Sequence, residues 1–181
     1  MRPHLTKMAL ACSLLMLMLA VAPWSRATAD GVDGEYSLMQ RIRRLEAIEE
    51  ITKLKSRYIV LIDEVIADPA AADEFASLFV HDFVVEYGDY GTFTDKPSLK
   101  AFLADVISPA FAWGFHTAHN PRIEVFGNEA TAEWDFTADV VATGASAPVR
   151  FYGRYVDHYV KTPHGWKFEA VFLNFETPPV Q

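Results

Sequence analysis

The chain has 181 residues, 51% of them hydrophobic and 13% aromatic, with a formal net charge of −8. That is enough apolar material for one sizeable core, and the charge disfavours a phosphate backbone or an anionic lipid surface as a partner. The single cysteine, Cys12, lies near the N-terminus, where it cannot support a disulfide framework.

Residues 1–29 have the pattern of a signal peptide. Arg2 and Lys7 form a basic leader, Met8 to Ala22 is almost wholly apolar, and Ala27-Thr28-Ala29 offers small residues to a signal peptidase, so cleavage is expected before Asp30. The apolar run is shorter than the ~20 residues of a spanning helix, and Pro23 and Arg26 close it, so no stable membrane anchor is expected. The expected product is periplasmic or secreted and has no cysteine. Losing Arg2, Lys7 and Arg26 from the 16 basic residues leaves 13 against 24 acidic ones, a formal charge of −11. Residues 30–36 read as a short extension, 37–177 as one domain and 178–181 as a tail.

Ser37 to Ile66 reads as a helix or two abutting helices, because Leu38, Ile42, Leu45, Ile48, Ile51, Tyr58, Leu61, Ile62 and Val65 recur at threes and fours. Asp68-Pro69 signals a new helix running to about Phe79. From Asp82 the period changes to two, with Phe83, Val85 and Tyr87 on one face, and Gly88 to Gly91 marks a turn. Pro97 to Ile107 returns to helical spacing through Leu99, Phe102, Leu103 and Val106, and Ser108-Pro109 is expected to end it. A meander follows: Arg122 to Phe126, Ala130 to Thr143, Val149 to Lys161 and Trp166 to Phe175, each joined to the next by a turn. Helices followed by an antiparallel sheet predict an α+β domain with helices covering one sheet face. A twisted sheet around the long N-terminal helix would leave one end open as an apolar pocket. Tyr87, Phe115, Trp134, Phe136, Phe151, Tyr155, Trp166, Phe168 and Phe172 are the aromatics available to line it or to fill the core.

Chemistry concentrates in Phe115-His-Thr-Ala-His-Asn-Pro-Arg122, with Asp63 upstream in Arg57-Tyr-Ile-Val-Leu-Ile-Asp63. Imidazole titrates near neutral pH, and a carboxylate bonded to one ring nitrogen fixes the tautomer and stabilises the imidazolium. Asp63 and His116 therefore form a candidate general-base pair if the fold joins them in a pocket. His119, three residues along a strand from His116, would point the other way, which argues against a shared metal site. With no glycine-rich phosphate loop and no cysteine/histidine cluster, neither metal nor cofactor is expected.

Four segments taken in order resemble the SnoaL-like branch of the nuclear transport factor 2-like superfamily: Ile51 to Asp63, Phe75 to Tyr87, His116 to Gly127 with Ala130 and Ala132, and Gly153-Arg-Tyr-Val-Asp157 leading to Gly165-Trp-Lys-Phe168. The resemblance implies a cone-shaped fold, a curved, mainly antiparallel sheet wrapped around the N-terminal helix. Enzymes of this group, among them scytalone dehydratase, use a His/Asp pair to remove a proton while tyrosines hold or protonate the departing group. Carried onto this chain, the motif gives His116 as base, Asp63 as its partner, Tyr58 as acid or polar anchor and Tyr87 as a second pocket tyrosine; beside it, Asn120, Trp134 and Tyr155 complete the substrate-binding candidates. The pattern of the dehydrochlorinases wants an arginine on the last strand, near the place where Val171 stands here, so loss of chloride is not supported, whereas loss of water or isomerisation stays open. The implied partners are a small hydrophobic oxygenated molecule and further copies of the chain in a dimer or trimer. A non-catalytic pocket protein or assembly module stands as the alternative, since one fold hosts many roles.

Overall fold

The computed structural model describes residues 29–177, and side chains from Ser37 onward. The fold described below is that of residues 42–177. The expected signal peptide and the tail 178–181 lie outside the described residues.

Helix α1 (Ala29–Ala67) includes residues 30–36. Its buried residues from position 47 onward are Ala47, Ile51, Lys55, Tyr58, Ile59, Leu61, Ile62, Val65 and Ile66. The stripe repeats at threes and fours, then widens from Tyr58 onward to roughly 160° of the helix at about 100° per residue, with half-buried Asp63 just beyond its edge. α2 (Ala71–Ser77) follows a turn that Asp68 caps as expected, its Oδ1 accepting from the N–H of Ala70 at 3.0 Å. The helix also ends sooner: Phe79 is the first residue of strand β1 (Phe79–Glu86), not the end of the helix. A 3-10 turn (Gly88–Tyr90) and the two-residue β2 (Thr92–Phe93) follow.

α3 (Lys96–Ala101), with Asp95 as its N-cap, runs directly into a π-helical segment (Phe102–Ile107) and a last turn α4 (Ser108–Ala110). Pro109 therefore does not end the helical stretch. It sits in the last turn, α4, one residue before the helical stretch ends at Ala110. The wider π turn also changes which residues face inward: Ile107 lines a cavity with Phe102 and Leu103, whereas Val106, expected inside from α-helical spacing, is 52% exposed.

Strands β3 (Phe111–Phe126), β4 (Glu129–Ala142), β5 (Val149–Thr162) and β6 (Gly165–Glu176) form the antiparallel meander. The full sheet is curved and unclosed, in the order β2-β1-β6-β5-β4-β3, with β1 parallel to β6 and every other pair antiparallel. β4 alternates cleanly, with Ala130, Ala132, Trp134, Phe136, Ala138 and Val140 buried. These residues meet the buried stripe of α1 and Phe75, Phe79, Phe83 and Phe168 in one core.

β3 is an edge strand that begins eleven residues before the expected Arg122. Its register against β4 shifts between His119 and Arg122, where Asn120 has a φ of 51° and Pro121 needs no ladder donor. This bulge changes the inward parity: Gly114, His116 and Ala118 face in before it, and Ile123 and Val125 after it. A regular strand could not place both sets on one face.

Candidate active site

Asp63 meets His116 through both carboxylate oxygens. Oδ1 lies 2.6 Å from the ring Nδ1, and Oδ2 accepts the backbone N–H of His116 at 3.1 Å. An ionised carboxylate only accepts, so the short contact requires the proton on Nδ1 and leaves the lone pair on Nε2. The side chains are 16% and 25% exposed, shielded enough for the pair to be held yet open enough to reach a ligand. The close approach of α1 to β3 that this pair needs passes over Gly114. A Cβ there would come 2.5 Å from Ile66 Cδ1 and 3.2 Å from Asp63 Oδ1, so only glycine fits without displacing the carboxylate's surroundings.

His116 faces a cavity of about 90 Å³ walled by α1, the π segment and the inner faces of β3 to β6. Ile62, Leu103, Phe136 and Val140 make it apolar, and the polar atoms come from His116 and from Tyr58, Tyr87 and Tyr155. Tyr90 and Phe175, 5.8 Å apart and both partly exposed, stand at the rim. The hydroxyls of Tyr58 and Tyr87 are 2.7 Å apart. Burial drives both phenols above their ordinary range, so both stay protonated across physiological pH. One hydroxyl donates to the other, and the acceptor keeps its own proton for a third oxygen. The widened stripe of α1 is what lets Tyr58 and Asp63, five residues apart, flank the same space.

The other expected site residues divide. Tyr87 and Tyr155 line the cavity with Tyr58 and His116. Trp134 does not: it is buried deeper in the core, where its Nε1 donates to Tyr159 Oη at 3.2 Å. Asn120 does not either. It sits on the exposed bulge with its amide on Asp135 Oδ2 at 3.0 Å, and its value lies in accepting a left-handed backbone. Phe115 is 55% exposed on the outer sheet face, stacked with Trp113, and His119 is also exposed.

Behind the tyrosines lies a group that hydrophobic patterning passed over. Lys55 and Asp157 are 1% and 0% exposed, with Nζ 2.9 Å from Oδ2. Tyr159 donates to the same oxygen at 2.7 Å. Burial pushes the Lys55 amine down to about 8, with Asp157 opposing that fall, and burial raises the Asp157 carboxyl while Lys55 holds it back. The sequence signal existed. Lys55 stands four after Ile51 and three before Tyr58, on the apolar stripe itself, and Asp157 stands between the inward residues Tyr155 and Tyr159.

Comparison with known proteins agrees with this fold. Residues 43–171 match the SnoaL-like domain family. A search of curated proteins gives no significant match. Among solved structures, the chain is similar to a candidate scytalone dehydratase from Novosphingobium aromaticivorans, with 25% identity, a TM-score of 0.64 and coverage of 78% of this chain and 91% of that one. It is also similar in fold to a nuclear transport factor 2-like superfamily protein of Salmonella enterica serovar Typhimurium (22% identity, TM-score 0.64, 76% of this chain and 96% of that one). A third is the hexachlorocyclohexane dehydrochlorinase LinA-type3 of Novosphingobium barchaimii (17% identity, TM-score 0.63, 77% and 90%).

Proposed function

The chain belongs to the SnoaL-like domain family, and on that footing we propose that it is a proton-abstracting lyase, of the dehydratase kind, or an isomerase acting on a small, neutral, hydrophobic molecule that carries oxygen. The observation that carries this reading is the two-point hold of Asp63 on His116 at the wall of an apolar cavity.

In this mechanism Nε2 of His116 takes a carbon-bound proton, and Asp63 stabilises the imidazolium that forms. The electron pair left on carbon moves toward an oxygen of the substrate. Tyr58 and Tyr87, bonded to each other, supply the donor that holds this oxygen as its charge grows. In dehydration the pair then returns to form a carbon–carbon double bond as the neighbouring C–O bond breaks, and the imidazolium proton goes to the departing hydroxyl, giving water; in isomerisation that proton goes to another carbon. The chain itself supplies base and donor, so the scheme calls on no metal or cofactor. The apolar walls favour a neutral substrate over an ionic one.

His116→Ala and Asp63→Asn test the reading. Each should reduce turnover by about 100-fold to 10,000-fold while leaving the circular dichroism spectrum unchanged. A ligand found by native mass spectrometry that both variants bind and neither they nor the parent converts would favour a non-catalytic binding protein.

Export and self-association belong to the same proposal. The basic leader, apolar run and Ala27-Thr28-Ala29 support cleavage, and intact mass of the exported protein should start at Asp30. The exposed stack of Trp113 and Phe115, with ring centroids 6.4 Å apart, supports a dimer or trimer. Light scattering that finds only monomer at high concentration would contradict it.

A further inference from the structure

The buried ion pair is hard to explain as architecture. Desolvating two charges costs several kcal/mol per ion, and apolar residues of similar size often serve a core as well or better. Here the pair is also incompletely satisfied. Among the described residues Asp157 Oδ1 has no hydrogen-bond partner, and Lys55 Nζ, though close to Oδ2, is not aligned for a hydrogen bond. The position of the ammonium is more informative. Nζ lies 3.4 Å from the ring centroid of Tyr155, 4.5 Å from that of Tyr58 and 5.7 Å from that of Phe168. Tyr58 and Tyr155 pack edge to face, 5.8 Å apart, and both line the cavity. A cation over a phenol ring draws on its π electrons and holds the ring in place.

We propose that Lys55 is a positioning residue for the tyrosine side of the site: its ammonium, tied down by Asp157, orients and polarises the Tyr58 and Tyr155 phenols from behind, without entering the cavity. The proposal rests on the reading that the tyrosines hold the substrate's oxygen. It adds a charge that sets how well they do so. The groups facing Nζ are Tyr58 from α1 and Tyr155 and Asp157 from β5. Tyr159 and Tyr87 stand one hydrogen bond further on, through Asp157 and Tyr58 respectively. Among these, Lys55 changes charge at the lowest alkaline pH, since its amine is held near 8 while burial keeps all four phenols above their ordinary range.

The test reads the tyrosines directly. Protein labelled at tyrosine Cζ and lysine Cε is titrated by NMR from about pH 6 to about pH 10, with signals assigned through Tyr58→Phe and Tyr155→Phe. The Tyr58 and Tyr155 signals should move together with the Lys55 signal, with a midpoint near 8. The half-exposed Tyr152 on the opposite face of β5 should not follow them. In Lys55→Met/Asp157→Asn, which removes both charges and keeps an acceptor for Tyr159, that transition should vanish. Tyrosine signals that stay flat while Lys55 titrates in the wild-type protein would overturn the proposal, and that observation does not depend on the charge-removing variant. The readout is independent of turnover, so it fails separately from the loss of activity expected in His116→Ala.

Discussion

Asp63 holds His116 at two points, the ring Nδ1 at 2.6 Å and the backbone N–H at 3.1 Å, and so fixes both the orientation and the tautomer of one imidazole at the wall of an apolar cavity. The second contact matters as much as the first. A carboxylate bonded only to the ring could swing with it, whereas one also bonded to the main chain of β3 ties the ring to the sheet.

Removing the phenol oxygens should separate binding from chemistry. Tyr58→Phe and Tyr87→Phe each break the 2.7 Å hydroxyl pair and should cost about 1 kcal/mol in stability. Their effect on kcat should exceed that on KM if the donor acts on charge that develops during the reaction. Equal losses in binding and in turnover would assign the tyrosines to binding alone.

Gly114→Ala should disturb the dyad without opening the core. The added methyl group would press on Ile66 and Asp63, and the expected result is a tenfold or greater loss of turnover, roughly 1.4 kcal/mol in the barrier. Pairing it with Ile66→Ala removes the closer of the two clashes and should restore part of the rate. A Gly114→Ala enzyme with full activity would mean that the approach of α1 to β3 tolerates more than its geometry suggests.

The bulge at Asn120 should behave as a backbone device. Asn120→Gly is expected to be close to neutral, whereas Asn120→Val, a β-branched residue forced to a φ of 51°, should cost about 1 to 2 kcal/mol in urea unfolding. Reduced affinity for ligand in Asn120→Gly, with stability unchanged, would return Asn120 to the substrate-binding set from which its exposed position removes it.

How much of this was legible in the sequence depended on which signal each residue carried. The stripe of α1 and the alternation of β4 are periodic, and periodicity alone placed them. The meander's first strand was begun at Arg122, although His116 and His119 were read as strand residues, because Gly114 and the bulge at Asn120 interrupt the alternation of β3. Trp134 was misplaced for a different reason. Alternation marks a residue as inward but does not say how far along the strand the cavity ends and the solid core begins. Asp63 bonds His116, and His116 lines one cavity with Tyr58 and Tyr87. Lys55 and Asp157 were invisible to a hydrophobic pattern, since both are charged residues occupying apolar positions.

Stability should depend on pH through the buried amine. Lys55 has a folded value near 8 against an ordinary 10.5. Between these the unfolded chain binds more protons than the folded one, so this group makes stability rise with pH from about 8 upward. Near pH 10 the buried phenols begin to act the other way, because the folded state keeps them protonated longer. Urea unfolding at about pH 8 and about pH 9.5 should therefore show a more positive slope for the wild type than for Lys55→Met/Asp157→Asn. Identical slopes would place the amine outside that window.

The tautomer of His116 tests the central claim most directly, and it requires no substrate. Two-bond nitrogen–proton correlation of uniformly labelled protein, above the pH at which the imidazole loses its second proton, reads which ring nitrogen carries the remaining one. The dyad described here predicts a proton on Nδ1 and a bare Nε2 in the wild type, with that preference lost or weakened in Asp63→Ala. A neutral His116 protonated on Nε2 would contradict the account, because the nitrogen required to act as base would then already hold its proton.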